Sequence, residues 1–208
     1  LCEFDSTNGT CPTINISYEG DVSSPAISGN RILWSVRHAH PNLFYCEYDN
    51  GSCPQQTLVS NVSDWFYTNP DISENYAVWL STNPVGSDRR DDLEPGQIYL
   101  YDFNEQVMVP ITENKTALGP KISGNTIVWA DNRTSLDFQI FYCVYDPETQ
   151  TCPNQPIISD VSNVTNQESP DISGSRVVWA QDFYDVDNDV NLRDLFWYDF
   201  ENSRLVSS

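Results

Sequence analysis

Carboxylates are where this chain could first do chemistry. Thirty Asp and Glu stand against ten Lys and Arg, a net charge of −20 over 208 residues. The densest set lies in "QDFYDVDNDVNLRD", where Asp185, Asp187, Asp189 and Asn191 alternate, with Asp182 and Asp194 nearby. Oxygen side chains at alternate positions can turn onto one hard cation, as at the start of a calcium loop. Val190, however, stands where an EF-hand-like loop takes glycine, and Phe196 where it takes its closing glutamate. Calcium binding and a solvated acidic loop both stay open, and calcium is the one cofactor these residues point to.

Other chemistry is sparse. His38 and His40 in "RHAHP" are the only histidines, and no third ligand accompanies them. There is no G-x-S-x-G nucleophile motif and no glycine-rich phosphate loop. No enzyme activity is therefore expected. The acidic balance repels nucleic acid and anionic lipid and favours cations or basic partners. No apolar run approaches the roughly 20 residues of a membrane span, and no signal segment opens the chain at Leu1. This start reads as a processed product or as part of something longer.

Six cysteines fall into three local pairs, Cys2 with Cys11, Cys46 with Cys53 and Cys143 with Cys152, each bracketing a turn-like segment. The odd separations fit directly opposed positions across a hairpin, so three hairpin disulfides are expected. Disulfides imply an oxidising, extracytoplasmic setting. N-x-S/T sequons at Asn8, Asn15, Asn50, Asn61, Asn114, Asn132 and Asn163 agree with that compartment and make a glycosylated surface protein the expectation.

The elements that must position these groups recur. "SPAISGNRILWS", "NPDISENYAVWL", "GPKISGNTIVWA" and "SPDISGSRVVWA" place Trp34, Trp79, Trp129 and Trp179 at intervals of 45, 50 and 50 residues. Each copy is followed by an aromatic strand, "LFYCEYD", "QIYLYDF", "QIFYCVYD" or "DLFWYDF", and then by a last short strand. Four short strands per unit at this period describe the blade of a β-propeller. Ile27, Ile72, Ile122 and Ile172 are expected to fill the layers between blades with the tryptophans. Tyr48, Tyr101, Tyr145 and Tyr198 are expected one strand further out. Asp49, Asp102, Asp146 and Asp199 are expected to open turns.

The pattern P-x-I-S-G-x-x-I-V-W followed by I/F-Y-x-Y-D resembles the β-propeller repeats of archaeal and bacterial cell-surface proteins, which look like TolB-type propellers. The resemblance covers essentially the whole chain. It implies an all-β propeller of surface-layer or adhesion type, largely without assigned enzyme activity. The expected organisation is one domain over 1–208: a half-blade at 1–19 and blades at 24–64, 69–113, 119–162 and 169–208.

The half-blade rests on "LCEFDSTNGTCPTINIS", which matches the second half of a unit, "YCEYDNGSCPQQTLVS", with nothing before it. The last unit already has four strands. The hairpin then packs within the chain, belongs to a longer propeller, or pairs with a neighbouring subunit in a head-to-tail polymer. The function expected is that of an extracellular structural subunit of a surface filament or lattice. A carbohydrate-binding or adhesion module is the alternative, with Trp65, His40 and Tyr184 as stacking residues. A propeller glycosidase working with paired carboxylates is a more distant one, since the S-x-D-x-G-x-T-W box is absent. Arg89 and Arg90, between Asp88 and the pair Asp91 and Asp92, offer either a mixed-charge surface loop or a contact to a neighbouring subunit.

Overall fold

The computed structural model describes residues 7, 15–17, 21–36, 42–59, 66–82, 95–113, 116–159, 166–185, 190–202 and 204–207. Cys2, Cys11, Asn8, Asn61, Asn114, Asn163, Asp187 and Asp189 lie outside them, as do His38, His40, Trp65, the 88–92 charge cluster and most of the 1–19 hairpin.

The period-2 stretches form antiparallel strands in four sheets. The first sheet contains β1 (Val22–Ser28), β2 (Arg31–Val36), β3 (Asn42–Glu47) and β4 (Gln56–Val59) in that order. The second runs β5 (Phe66–Ser73), β6 (Tyr76–Thr82), β7 (Gln97–Asp102) and β8 (Val107–Pro110). The third has three strands, β9 (Ala117–Ser123), β10 (Thr126–Asp131) and β11 (Gln139–Val144). Its expected fourth strand is reduced to a bridge between Phe141 and Ile157. The fourth sheet runs β12 (Asn166–Ser173), β13 (Arg176–Asp185), β14 (Val190–Asp199) and β15 (Arg204–Ser207). The first strands β1, β5, β9 and β12 lie side by side in chain order, each against the next.

Each proline of the repeated phrase marks a β-bulge. The register slips between Ser23 and Ala26, Thr68 and Asp71, Leu118 and Lys121, and Glu168 and Asp171, each time opposite one tryptophan. A bulge leaves one residue out of the ladder, so a proline without an N–H fits there at no cost in hydrogen bonds. The residue before it, Ser24, Asn69, Gly119 or Ser169, has φ between 50° and 53°.

The tight turns follow the expected chemistry. Asp49 and Ser52 exchange backbone hydrogen bonds of 2.9 and 2.8 Å around Asn50 and Gly51. This register corrects one expectation about the cysteines. It puts Cys53 across from Tyr48, so Cys46 reaches it diagonally, with Cα atoms 5.3 Å apart. Cys143 and Cys152 bond across 5.7 Å in the same diagonal way, because the next turn pairs Asp146 with Thr151.

Apolar burial lies between sheets. Leu33 and Leu43 of the first sheet meet Ile72, Ala77 and Trp79 of the second. Val78, Leu80 and Ile98 of the second meet Ile122, Ile127 and Trp129 of the third. Val128 and Ile140 of the third meet Ile172, Val177 and Trp179 of the fourth. Each sheet thus offers an aromatic face backwards along the chain and an aliphatic face forwards. The four tryptophans of the repeat, Trp34, Trp79, Trp129 and Trp179, are buried, as the repeat implies. Tyr145 is buried too, while Tyr48, Tyr101 and Tyr198 are half-buried.

Candidate functional site

The joint between sheets is the most repeated constellation of polar groups in the molecule. Each joint uses the serine of P-x-I-S. Ser28 Oγ accepts the backbone N–H of Glu74 at 3.0 Å, Ser73 Oγ that of Gly124 at 2.8 Å, and Ser123 Oγ that of Gly174 at 2.9 Å. At the second joint Asp71 Oδ2 also accepts the N–H of Ile122 at 2.9 Å. Burial pushes the Asp71 carboxyl above its ordinary value, with this hydrogen bond opposing the rise. Side chains reinforce the joints: Arg31 donates to the Glu74 carbonyl at 2.9 Å and lies 4.6 Å from the Phe103 ring centre.

The two ends of the row expose what the joints elsewhere bury. Ile27 is 59% exposed, whereas Ile72, Ile122 and Ile172 are 5%, 4% and 9% exposed. Ile27 therefore departs from the expected packing, with no sheet among the described residues on its outer side. At the other end Val178 is 45% exposed and Leu195 65%, against 0% for Val78, Val128, Ile98 and Ile140. Ser173 and Asp171 are exposed as well, where the matching Ser73, Ser123 and Asp71 are half-buried. Beside Ile27 runs a groove of about 430 Å³ lined by Ile16, Val22, Pro25 and Trp34. Ile16 packs on the cluster of Ile32 and Trp34, so this stretch of the N-terminal segment lies against the first sheet of its own chain.

A second cavity, of about 680 Å³, opens among the four bulges. Ser24, Asn69, Gly119 and Ser169 line it together with Lys121, Glu168 and the ring of Phe138. No sequence motif marks this cavity. Its signal is the residue before each repeated proline, and only the side-by-side order of the first strands brings those residues together.

The described parts of the acidic stretch lie on two paired strands. Asp182 and Asp185 lie on β13, and Asn191 and Asp194 on β14, in a ladder that continues to the pair Asp185 and Val190. Arg193 donates to Asp182 at 2.6 Å and to Glu168 at 3.2 Å. Among the described residues no three His, Cys, Asp or Glu side chains gather as a metal site. The turn aspartates behave as expected: Asp102 accepts the N–H of Asn104 at 2.9 Å, Asp146 that of Glu148 at 2.9 Å and Asp199 that of Glu201 at 3.0 Å. Hydrogen bonds from Thr149 and Glu148 hold the Asp146 carboxyl below its ordinary value, and those from Asn202 and Glu201 do the same for Asp199. Of the sequons, Asn15 and Asn50 are exposed and Asn132 is half-buried.

Known folds share this arrangement. A TolB-type protein of Agrobacterium tumefaciens superposes with a TM-score of 0.62 at 16% identity, over 96% of this chain and 69% of that one. The β-propeller domain of the Trilobed protease from Pyrococcus furiosus, with its open velcro topology, superposes with a TM-score of 0.58 at 10% identity, over 89% of this chain and 56% of that one. The fold is a β-propeller. A puromycin-hydrolysing peptidase of Mycobacterium tuberculosis gives a TM-score of 0.63 at 13% identity, over 93% of this chain and 29% of the peptidase. The propeller likeness thus spans only part of the longer proteins, and at such identities it shows the fold alone. No protein-family model and no curated protein sequence matches the chain. Among the described residues no helix is long and apolar enough to cross a membrane.

Proposed function

We propose that the protein is an extracellular structural subunit that associates with itself into a surface filament or lattice. In this reading the four sheets are blades and residues 1–19 form a half-blade at the free end of the first. The observation that carries it is the exposure of Ile27 on the first sheet and of Val178 and Leu195 on the fourth, at positions that are buried where described sheets meet. Apolar side chains exposed in this register favour contact with a further surface of the same kind, which a second copy presents. Supporting the setting are the two hairpin disulfides, the exposed sequons at Asn15 and Asn50, and the high negative charge. Membership of the surface-layer-like repeat group belongs to the same proposal.

Electron microscopy of the native, unreduced protein at near-neutral pH, with its mass in solution, tests this. Regular fibres or sheets are expected, and a monomer at every concentration would reject the reading.

A second reading, binding of a carbohydrate, draws on the cavity among the bulges, where Phe138 stands beside Asn69, Lys121 and Glu168. Titration of the protein with neutral oligosaccharides, followed by tryptophan fluorescence and calorimetry, distinguishes it from a purely structural role.

A further inference from the structure

We infer, resting on the carbohydrate reading above, that the cavity among the bulges seats an uncharged sugar, with the Lys121 ammonium and the Phe138 ring as its principal contacts.

The repeat sets up the polar side of the seat. In P-x-I-S the variable residue follows each bulge, and the side-by-side order of the first strands puts Ala26, Asp71, Lys121 and Asp171 in one row. Lys121 and Asp171 line the cavity. Lys121 is the unusual member. Arg31, Arg133, Arg176 and Arg193 each hold a carboxylate. Among the described residues Lys121 forms no such pair, although it is half-buried in a chain of net charge −20. Burial raises the Asp71 carboxyl, and Lys121 draws it back through space. A half-buried ammonium carries donors that need acceptors, and a ligand in the cavity supplies them.

The charge balance decides what kind of acceptor fits. Glu168 also lines the cavity, but its oxygens are taken by Asn166 at 2.8 Å and by Arg193 at 3.2 Å. The charges of Lys121 and Asp171 cancel, as do those of Arg193 and Glu168, so the lining selects neither an anion nor a cation. Hydroxyls accept from an ammonium and donate to a carboxylate, so a neutral polyol satisfies Lys121 and Asp171 together. Asn69 adds an amide that can do both.

The other side of the seat is apolar, made by Pro70, Leu118, Pro170 and Phe138. Phe138 is fixed where the third and fourth sheets meet: its N–H donates to Asn166 Oδ1 and its carbonyl accepts the N–H of Gln167, both at 3.1 Å. A ligand with one apolar face and a hydroxyl edge matches such a wall, and a pyranose has both. The volume of about 680 Å³ falls in the range of small-molecule sites and takes a short oligosaccharide. All of these groups stand on or between the second, third and fourth sheets, where described sheets meet.

Calorimetric titration of the whole, unreduced chain tests the seat, with maltotriose, cellotriose and mannotriose as neutral probes and trigalacturonate and chitosan trisaccharide as charged ones. At least one neutral trisaccharide should bind, and neither charged one more tightly. Lys121→Met should weaken that binding about tenfold or more. Phe138→Leu, which keeps apolar bulk but loses the ring, and Asn69→Gly, which suits the φ of 50° at that position, should each weaken it as well. Thermal unfolding of Lys121→Met and Asn69→Gly should match the wild type, so that lost binding is not lost fold. If no trisaccharide binds to the wild type, the carbohydrate reading fails and the seat with it. If a neutral one binds and Lys121→Met takes it as the wild type does, or a charged one binds more tightly, the seat is overturned while the carbohydrate reading stands.

Discussion

Trp79, Trp129 and Trp179 hold one position in three sheets, yet their indole N–H groups are met differently. Trp129 donates to Asp131 at 3.0 Å and Trp179 to Gln181 at 3.3 Å, while Trp79, with serine at the matching position 81, has no partner for its N–H among the described residues. Burial pushes the Asp131 carboxyl up, but hydrogen bonds from Arg133, Thr116 and Trp129 outweigh it and hold the group below its ordinary 3.8. A lowered folded value means that the stabilisation is complete well above pH 3.8 and fades as pH falls through the lowered value. Asp131→Asn should therefore flatten the acid limb of stability against pH, read by urea unfolding between neutral pH and pH 3, and cost about 2 kcal/mol at neutral pH. Glu74 provides a second case, with φ 51° at a turn position that is glycine in the other three units. Glu74→Gly should raise stability by about 1 kcal/mol by removing left-handed strain, and a higher midpoint in the same assay checks it.

At the scale of the element, the bulge and the turn decide how sheets meet. Gly96 shows how close the approach is: it exchanges backbone hydrogen bonds of 2.8 and 3.1 Å with Ala117 of the next sheet. A Cβ at Gly96 would stand 2.4 Å from the Ser81 carbonyl oxygen, which is backbone and cannot swing aside. Gly96→Ala is expected to cost about 2 kcal/mol or more and to lower the melting temperature. The Cys143–Cys152 bridge closes a short loop at the outer edge of the third sheet, where the fourth strand is only a bridge. Replacing both cysteines by alanine should cost about 2 to 3 kcal/mol in the chain-entropy picture, measured by denaturant titration under non-reducing conditions.

For the whole molecule, a net charge of −20 sets copies against one another, so the proposed self-association works against charge repulsion. Screening by salt should then strengthen assembly as ionic strength rises from about 0.01 to 0.15 M, where the Debye length falls from about 30 to 8 Å. Light scattering across that range checks the sign, and weakening with salt would point to ion pairs between copies instead.

Much of this was legible in the residues. The recurrence of P-x-I-S and tryptophan specified short antiparallel strands, tight turns and sheets that cannot bury their faces singly, because side-chain period and turn chemistry are local properties. Cys46 with Cys53 and Cys143 with Cys152 were legible for the same reason, though not the diagonal reach that the turn register imposes. In the acidic stretch Asp185 and Asn191 stand on paired strands, while Asp187 and Asp189 lie outside the described residues. The pairing of β13 with β14 up to Asp185 and Val190 is a long-range register that alternating oxygens do not announce. Sequence by itself determined the unit and its period. Only the tertiary structure decided that Ile27 lies open while Ile72, Ile122 and Ile172 are covered, because identical words bury different amounts according to which sheet stands alongside.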